Sequence, residues 1–452
     1  MISILILSNP GIAQENILEK YIREGIANNL EIQAQEYSVN RSRAGVDEAK
    51  GKYLPSIALN SRYSRAGGGR TIDLPIGDIV NPIYSGLNML AGQNLYPTNI
   101  PNQTINFLRK EEQETKLRLV QPIFKSEIYF NHQLQGKILE VDEITRDLKS
   151  RELIYTIKKA YYDYLKVSEV VKLFEEFEKL AEENLRVSEK LVLSQKATKE
   201  ILLRAEAEIS EIRQQQTDYK NKQSQAAAYF NYLLNKVQDS KIITWDEFPD
   251  KHSKYELDEN IYALARAHRE EIRVLDANID LSKTATKINS SAYYPGLFFA
   301  LDYGFEGEKF EFSDKSDFWM ASLVLEWNIF NGNQDKAKID QSEWREKELD
   351  NARLQLLKSI NLQVREAVQN YLSALEKIDV TAKRKESTDE YFRIISKKYE
   401  NGMSPFIEYL DAKTALFQAR VNSINTGYDL LTADAYVERI TAAYPLEKLL
   451  TK

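Results

Sequence analysis

Two segments of this chain repeat each other, and both read as helices too long for a compact domain. One runs Ile157-Lys-Lys-Ala160-Tyr-Tyr-Asp-Tyr164-Leu165-Lys-Val167-Ser-Glu169. The other runs Val364-Arg-Glu-Ala367-Val-Gln-Asn-Tyr371-Leu372-Ser-Ala374-Leu-Glu376. Ala, Tyr, Leu and Glu coincide at a constant offset. Apolar residues recur at steps of three and four: Ile157, Ala160, Tyr164, Val167, Val171 and Phe174 in the first, Ile360, Val364, Ala367, Tyr371, Ala374 and Ile378 in the second. That spacing lays them on one stripe, the seam of a coiled coil, and turns the charged residues to water. The helical stretches run from about 127 to 193 and from about 334 to 400, so at 1.5 Å per residue each reaches about 100 Å. Only 17 glycines and 11 prolines in 452 residues leave few places to break an element.

The duplication extends upstream. Glu31-Ile32 recurs as Glu271-Ile272, and Tyr53-Leu-Pro55 as Tyr293-Tyr-Pro295. Each proline ends a helix, because its ring and missing N–H cannot continue one. The run after each proline alternates with period two. Ile57, Leu59, Ser61 and Tyr63 interleave with Ser56, Ala58, Asn60 and Arg62. Leu297, Phe299, Leu301, Tyr303 and Phe305 interleave with Phe298, Ala300, Asp302 and Gly304. The returning runs alternate too: Thr115, Leu117 and Leu119 against Lys116 and Arg118, and Trp319, Ala321, Leu323, Leu325 and Trp327 against Met320, Ser322, Val324 and Glu326. The spacing predicts strands over about 56–63, 114–121, 297–305 and 317–327. Runs of about ten residues can cross a bilayer as tilted strands. Trp319 and Trp327 lie near opposite ends of one face, as interface aromatics do.

Four strands cannot close a barrel, and an open sheet leaves its edge groups unsatisfied in lipid. Other copies of the chain must complete it. Two copies would give an interior filled by side chains; three would give a water-filled lumen, so a conduit favours the homotrimer. The expected fold is mixed: an all-α coiled-coil barrel plus a transmembrane β-barrel, with two helix–strand–strand–helix repeats per chain and twelve strands completed by a trimer. The repeats divide the chain at 14–240 and 241–452, each ending in a further long helix, about 197–236 and 405–440. The apolar run Ile4 to Leu7, with Gly11 and Ala13 after it, reads residues 1–13 as the tail of a signal peptide. The connection from about 64 to 113 holds Gly67-Gly68-Gly69-Arg70 and four prolines, and reads as a long extracellular loop.

Other classes are disfavoured. The chain has no cysteine, hence no disulfide or thiolate site. Its three histidines, His132, His252 and His268, have no partner at metal-ligand spacing. The carboxylates follow helix faces without a pocket pattern, so no enzyme, cofactor or metal is expected. The net charge is −7 and no half is strongly basic, which speaks against nucleic acid. No apolar run is long enough for a membrane-crossing helix.

Three motifs carry a family resemblance. Tyr53-Leu54-Pro55 and its repeat close a helix before a strand. Gln121-Pro-Ile-Phe124 recurs as Trp327-Asn-Ile-Phe330-Asn-Gly332, where a strand passes into a long helix. Tyr399-Glu-Asn-Gly402-Met-Ser-Pro-Phe-Ile-Glu408-Tyr-Leu410-Asp411-Ala412 forms the turn at the far helical tip. Duplicated and in this order, spanning about 15 to 445, they resemble the TolC family of outer-membrane efflux proteins, the outer membrane factors. The resemblance implies a homotrimer with its barrel in outer-membrane lipid and its helices in a periplasmic tunnel. It implies the exit duct of a tripartite efflux pump or type I secretion system. The partners would be a periplasmic adaptor (membrane fusion protein) and an inner-membrane pump of RND, MFS or ABC type. It places a channel constriction at Tyr399, Glu408 and Asp411. It also makes the tip turns, Ser194, Gln195 and Lys196 with Gly402, Met403 and Ser404, an adaptor-docking surface. Two positions depart from the family: Ser404 stands where an arginine is usual, and Ile201 where an aspartate pairs with it, counted from Gln195 in place of a glycine. The competing expectation is a periplasmic coiled-coil scaffold or adaptor whose sheet is a soluble domain. The alternating strands with end tryptophans favour the channel.

Overall fold

Long apolar stripes and proline stops organise the computed structural model, which describes residues 10–245 and 254–446. Residues 1–9 of the expected leader lie outside the described residues, and α1 begins at Pro10. In chain order the elements are α1 (Pro10–Asn28), α2 (Leu30–Gly51), β1 (Ser56–Arg65), β2 (Thr71–Leu74), α3 (Ile76–Ala91), β3 (Gln103–Asn106), β4 (Glu111–Phe124), α4 (Ser126–Leu193) and α5 (Glu200–Leu233). Next come α6 (Glu259–His268), α7 (Glu270–Ser290), β5 (Gly296–Gly307), β6 (Asp317–Glu326), α8 (Gln334–Glu400) and α9 (Phe406–Ile440). The chain divides into two units. One comprises Met1–Ala44, Gln135–Lys283 and Ser342–Lys452; the other comprises Gly45–Leu134 and Thr284–Gln341.

The first unit is helical. Tyr21, Ile22 and Ile26 of α1 pack with Ile154, Ile157, Tyr161 and Leu165 of α4, Phe230 and Leu233 of α5, and Leu431 and Ala435 of α9. Ile360, Val364, Ala367, Val368 and Tyr371 of α8 pack with Ile261 and Ala265 of α6, Ile272 of α7, and Leu430 and Val437 of α9. On α8 Ile360, Val364, Ala367, Tyr371 and Ala374 of the heptad seam are buried, with Val368 beside them, and Ile378 is half-buried. On α4 the buried residues do not follow the seam strictly: Tyr164 and Val167 are half-buried, whereas Tyr161, Leu165 and Val170 are buried. The reason is that α4 has helices on two sides, so its buried stripe is wider than a two-helix seam requires.

Buried charges join these helices. Arg151 of α4 pairs with Glu270 at 2.8 Å. Arg439 near the end of α9 reaches Glu152 at 2.7 Å and Glu271 at 3.0 Å, and Arg269 holds Glu271 at 2.7 Å. Burial alone would raise the Glu271 carboxyl. The hydrogen bonds from Arg269 and the charge of Arg439 overcome it and hold the group at about 2.

The second unit is built on one antiparallel sheet in the order β1-β4-β5-β6. Its strands are the alternating runs of the sequence, and β4 joins the two repeats by pairing with β5 over Gln113–Gly307 through Phe124–Leu297. Among the described residues nothing pairs with the outer edge of β1 or of β6. The connection between β1 and β4 is not an irregular loop. It folds into a two-stranded sheet, β2 with β3, carrying the helix α3. Its prolines and glycines mask this: Pro82 lies inside α3, and Gly92 ends it at φ 64°.

Candidate functional site

Register across the sheet sorts its side chains onto two unlike faces. On one face the rows read Ile57–Leu119–Leu301–Ala321, then Leu59–Leu117–Tyr303–Trp319, with Phe299–Leu323 and Leu297–Leu325 beyond. Within the chain this apolar face is uncovered: Leu59 is 69%, Leu323 72% and Trp319 73% exposed. On the other face the rows read Ala58–Arg118–Asp302–Met320, Asn60–Lys116–Gly304–Phe318 and Arg62–Glu114–Glu306. Asp302 is buried there between Lys116 at 3.3 Å and Arg118 at 3.6 Å, while Arg62 lies 3.4 Å from Glu114. Gly304 makes this possible. A Cβ on it would stand 2.4 Å from the Thr115 carbonyl oxygen and 2.5 Å from the Lys116 Cβ, so only a bare backbone lets β4 lie so close. Of the expected interface aromatics, Trp319 lies in the apolar row with Tyr303. Trp327, just past β6, donates from Nε1 to the Tyr293 carbonyl at 3.2 Å.

A sheet with uncovered Leu, Ile, Phe and Trp on one face and paired charges on the other is inverted for a protein dissolved in water. Each such side chain left in water forgoes about 1.5–3 kcal/mol of transfer free energy. The same alternation suits a wall between hydrocarbon and an aqueous lumen. No helix among the described residues is long and apolar enough to cross a membrane.

The turns that join α4 to α5 and α8 to α9 lie in the helical unit and are built alike. At the first, Lys196 N–H donates to the Leu191 carbonyl at 2.9 Å; at the second, Met403 N–H donates to the Lys398 carbonyl at 2.8 Å. Each places one residue in the left-handed region, Gln195 at φ 62° and Gly402 at φ 74°. The offset relating Gln195 to Gly402 is the one relating Tyr164 to Tyr371, so the duplication persists in geometry where the glycine was lost. Ser194, Gln195, Lys196, Gly402 and Met403 are exposed. Ser404 differs: it is buried and its hydroxyl donates to Glu408. It is therefore not part of an accessible docking surface within this chain.

Behind the turns, Tyr399 and Tyr409 stack at 4.9 Å in an apolar cluster with Leu191, Ile395, Phe406 and Ala412. Tyr399 is buried, and its hydroxyl meets that of Ser188 at 2.9 Å. Burial, and then the Glu208 charge, raise the Tyr409 phenol. Ile201 packs against this apolar cluster, so its position carries no ion pair. Glu408 is half-buried and Asp411 exposed. An ion pair does join the two helical hairpins elsewhere: Lys413 of α9 lies 2.8 Å from Glu208 of α5, with the side chains 4% and 12% exposed. Burial pushes the Lys413 ammonium down, and Glu208 opposes the shift. Sequence reasoning passed over this pair. Its signal was a lysine on the stripe of Tyr409 and Leu416, and a glutamate three residues after Ala205, which is a poor place for unpaired charge.

Comparison with known proteins gives a family match for part of the chain and a likeness of fold. Residues 261–443 match the family model described as outer membrane efflux protein. No curated protein matches the chain in sequence. Among solved structures the chain is similar to CusC, with a TM-score of 0.77 at 15% identity over 94% of this chain and 92% of that chain. It is similar to the CmeC outer membrane channel of Campylobacter jejuni, with a TM-score of 0.77 at 15% identity over 95% and 88%. It is also similar to the open state of the MtrE outer membrane channel of Neisseria gonorrhoeae, with a TM-score of 0.73 at 16% identity over 94% and 88%. At these identities the likeness to solved structures is one of fold.

Proposed function

Residues 261–443 of this chain match the outer membrane efflux protein family, and from that premise we propose the assembly in which the chain works as an efflux duct. Three copies pair β1 of one with β6 of the next and close a twelve-stranded barrel in the outer membrane. The helical units together form a tunnel in the periplasm. The observation that carries this reading is the two-faced sheet: apolar rows from Ile57 to Trp319 on one side, and Arg62, Lys116, Arg118 and Asp302 on the other. A soluble β domain would leave those apolar rows in water, and a sheet with free edges would leave its backbone unpaired in lipid. The duct conducts passively and receives cargo from an inner-membrane pump through a periplasmic adaptor. The exposed tips Ser194–Lys196 and Gly402–Met403 are the docking surface for that adaptor.

The test uses the full chain in its envelope. It is expected to extract only with detergent, to scatter light as a trimer, and to give single-channel steps in a planar bilayer. A monomer released by salt or buffer overturns the proposal.

Glu408 and Asp411 narrow the periplasmic end, since three copies bring six carboxylates toward the axis, a ring that favours cations. The double substitution Glu408→Ala, Asp411→Ala is expected to weaken block by a trivalent cation roughly tenfold, the loss of about 1.4 kcal/mol of attraction. Unchanged block and unchanged cation preference in the bilayer would remove these residues from the constriction.

A further inference from the structure

The helix between β1 and β4 is inside out. Gly77, Asn81, Tyr84 and Asn88 form the side of α3 turned toward its own loop. Asn88 donates to the Tyr96 carbonyl at 2.8 Å and accepts from the Leu95 and Tyr96 N–H groups at 2.9 Å. Asn81 donates to the Ile100 carbonyl and accepts from the Ile100 N–H, both at 2.9 Å. Gly77 sits so close to the Ile100 carbonyl that a Cβ would lie 2.1 Å from it. The asparagines thus fasten the helix in one orientation. Its opposite stripe is apolar and bare: Ile79 is 60%, Ile83 56%, Leu87 40% and Leu90 87% exposed. The spacing i, i+4, i+8, i+11 is that of a face meant to be covered.

We propose that this face meets the same face on neighbouring copies of the chain, so that three α3 helices form an apolar contact beside the barrel mouth. The inference rests on the trimeric assembly proposed for the duct. Two observations select a second copy over lipid. First, from 71 to 108 the only charges are Asp73 and Asp78, with no lysine or arginine. A helix lying on an anionic lipid surface relies on cations along its polar side, and two carboxylates there would be repelled. Asp78 accepts a hydrogen bond from Asn102 at 3.0 Å and lies on the side of α3 away from Ile83 and Leu87, so the apolar stripe itself carries no charge. Second, the segment springs from the end of β1, the edge strand to which a neighbouring copy must add for the sheet to close. A rigid, uncharged apolar face delivered to that edge loses little entropy on association.

The chain has no cysteine, so single substitutions report cleanly. In the detergent-purified full chain, Ile83→Cys and, separately, Leu87→Cys are treated with a short bis-maleimide. Covalent dimers are expected at both, at least fivefold more than for Ser85→Cys, which is exposed on the other side of α3. Light scattering on the same sample separates the two levels of the argument. A trimer in which Ile83 and Leu87 crosslink no better than Ser85 overturns the α3 contact and leaves the duct. A nitroxide at Ile83 more accessible to oxygen than to a polar relaxant would then name lipid as the occupant. A monomer overturns the trimer, and the α3 contact with it.

Discussion

Glu208→Ala is expected to loosen the joined ends of the α4–α5 and α8–α9 hairpins more than any other single change there. It strands the Lys413 ammonium in a site where its side chain is 4% exposed. Breaking a buried pair by removing one partner costs about 3–5 kcal/mol, because the other charge stays desolvated. Burial already pushes Lys413 down, so part of that cost is relieved as the lysine sheds its proton. The loss is read as a lower denaturant midpoint and as faster hydrogen exchange in α9 near Tyr409. In a bilayer it appears as larger or noisier single-channel steps. The double variant Glu208→Met, Lys413→Met is expected to recover most of the stability, since two apolar side chains replace two paired charges. A double variant as unstable as Glu208→Ala would show that volume, and not charge pairing, holds the hairpins together.

Acid is expected to destabilise the helical unit through Glu271. Its ordinary value is 4.5 and its folded value about 2, so the folded state favours the carboxylate. That contribution is complete above pH 4.5 and is lost as the pH falls through 2. The depression corresponds to roughly 3 kcal/mol. Arg269 and Arg439, both buried, lose the Glu271 charge together when it is protonated, and Arg439 is left with Glu152. The unfolding temperature is therefore expected to fall steeply between pH 4.5 and 2. Glu271→Gln is expected to unfold at lower temperature at pH 7 and to show a flatter acid limb. A variant with the same acid limb as the parent would place the acid sensitivity elsewhere.

Several elements were legible because they are written in local periodicity. Period two over 56–63 and 297–305 became β1 and β5, and period three-and-four over 334–400 became α8. Proline stops at Pro55 and Pro295 sit between helix and strand as expected. The segment 64–113 was opaque, because α3 carries its asparagines inward and its isoleucines outward, and a proline within it. Judged by turn residues alone, that composition reads as loop. The tip turn at Gln195 was recoverable only by counting from Gly402, since a left-handed glutamine leaves no mark in composition. The inward turn of Ser404 and the burial of Tyr399 had no signal, because both depend on which helices lie behind them.

By itself the sequence determined the repeated helix–strand–strand–helix order and which side of each strand is apolar, since backbone geometry ties side-chain direction to residue spacing. Only the tertiary structure decided partners. It paired β4 with β5, setting Asp302 between Lys116 and Arg118, and it placed Lys413 against Glu208. Periodicity records that a face is covered, whereas the choice of cover is made by packing between segments far apart in the chain.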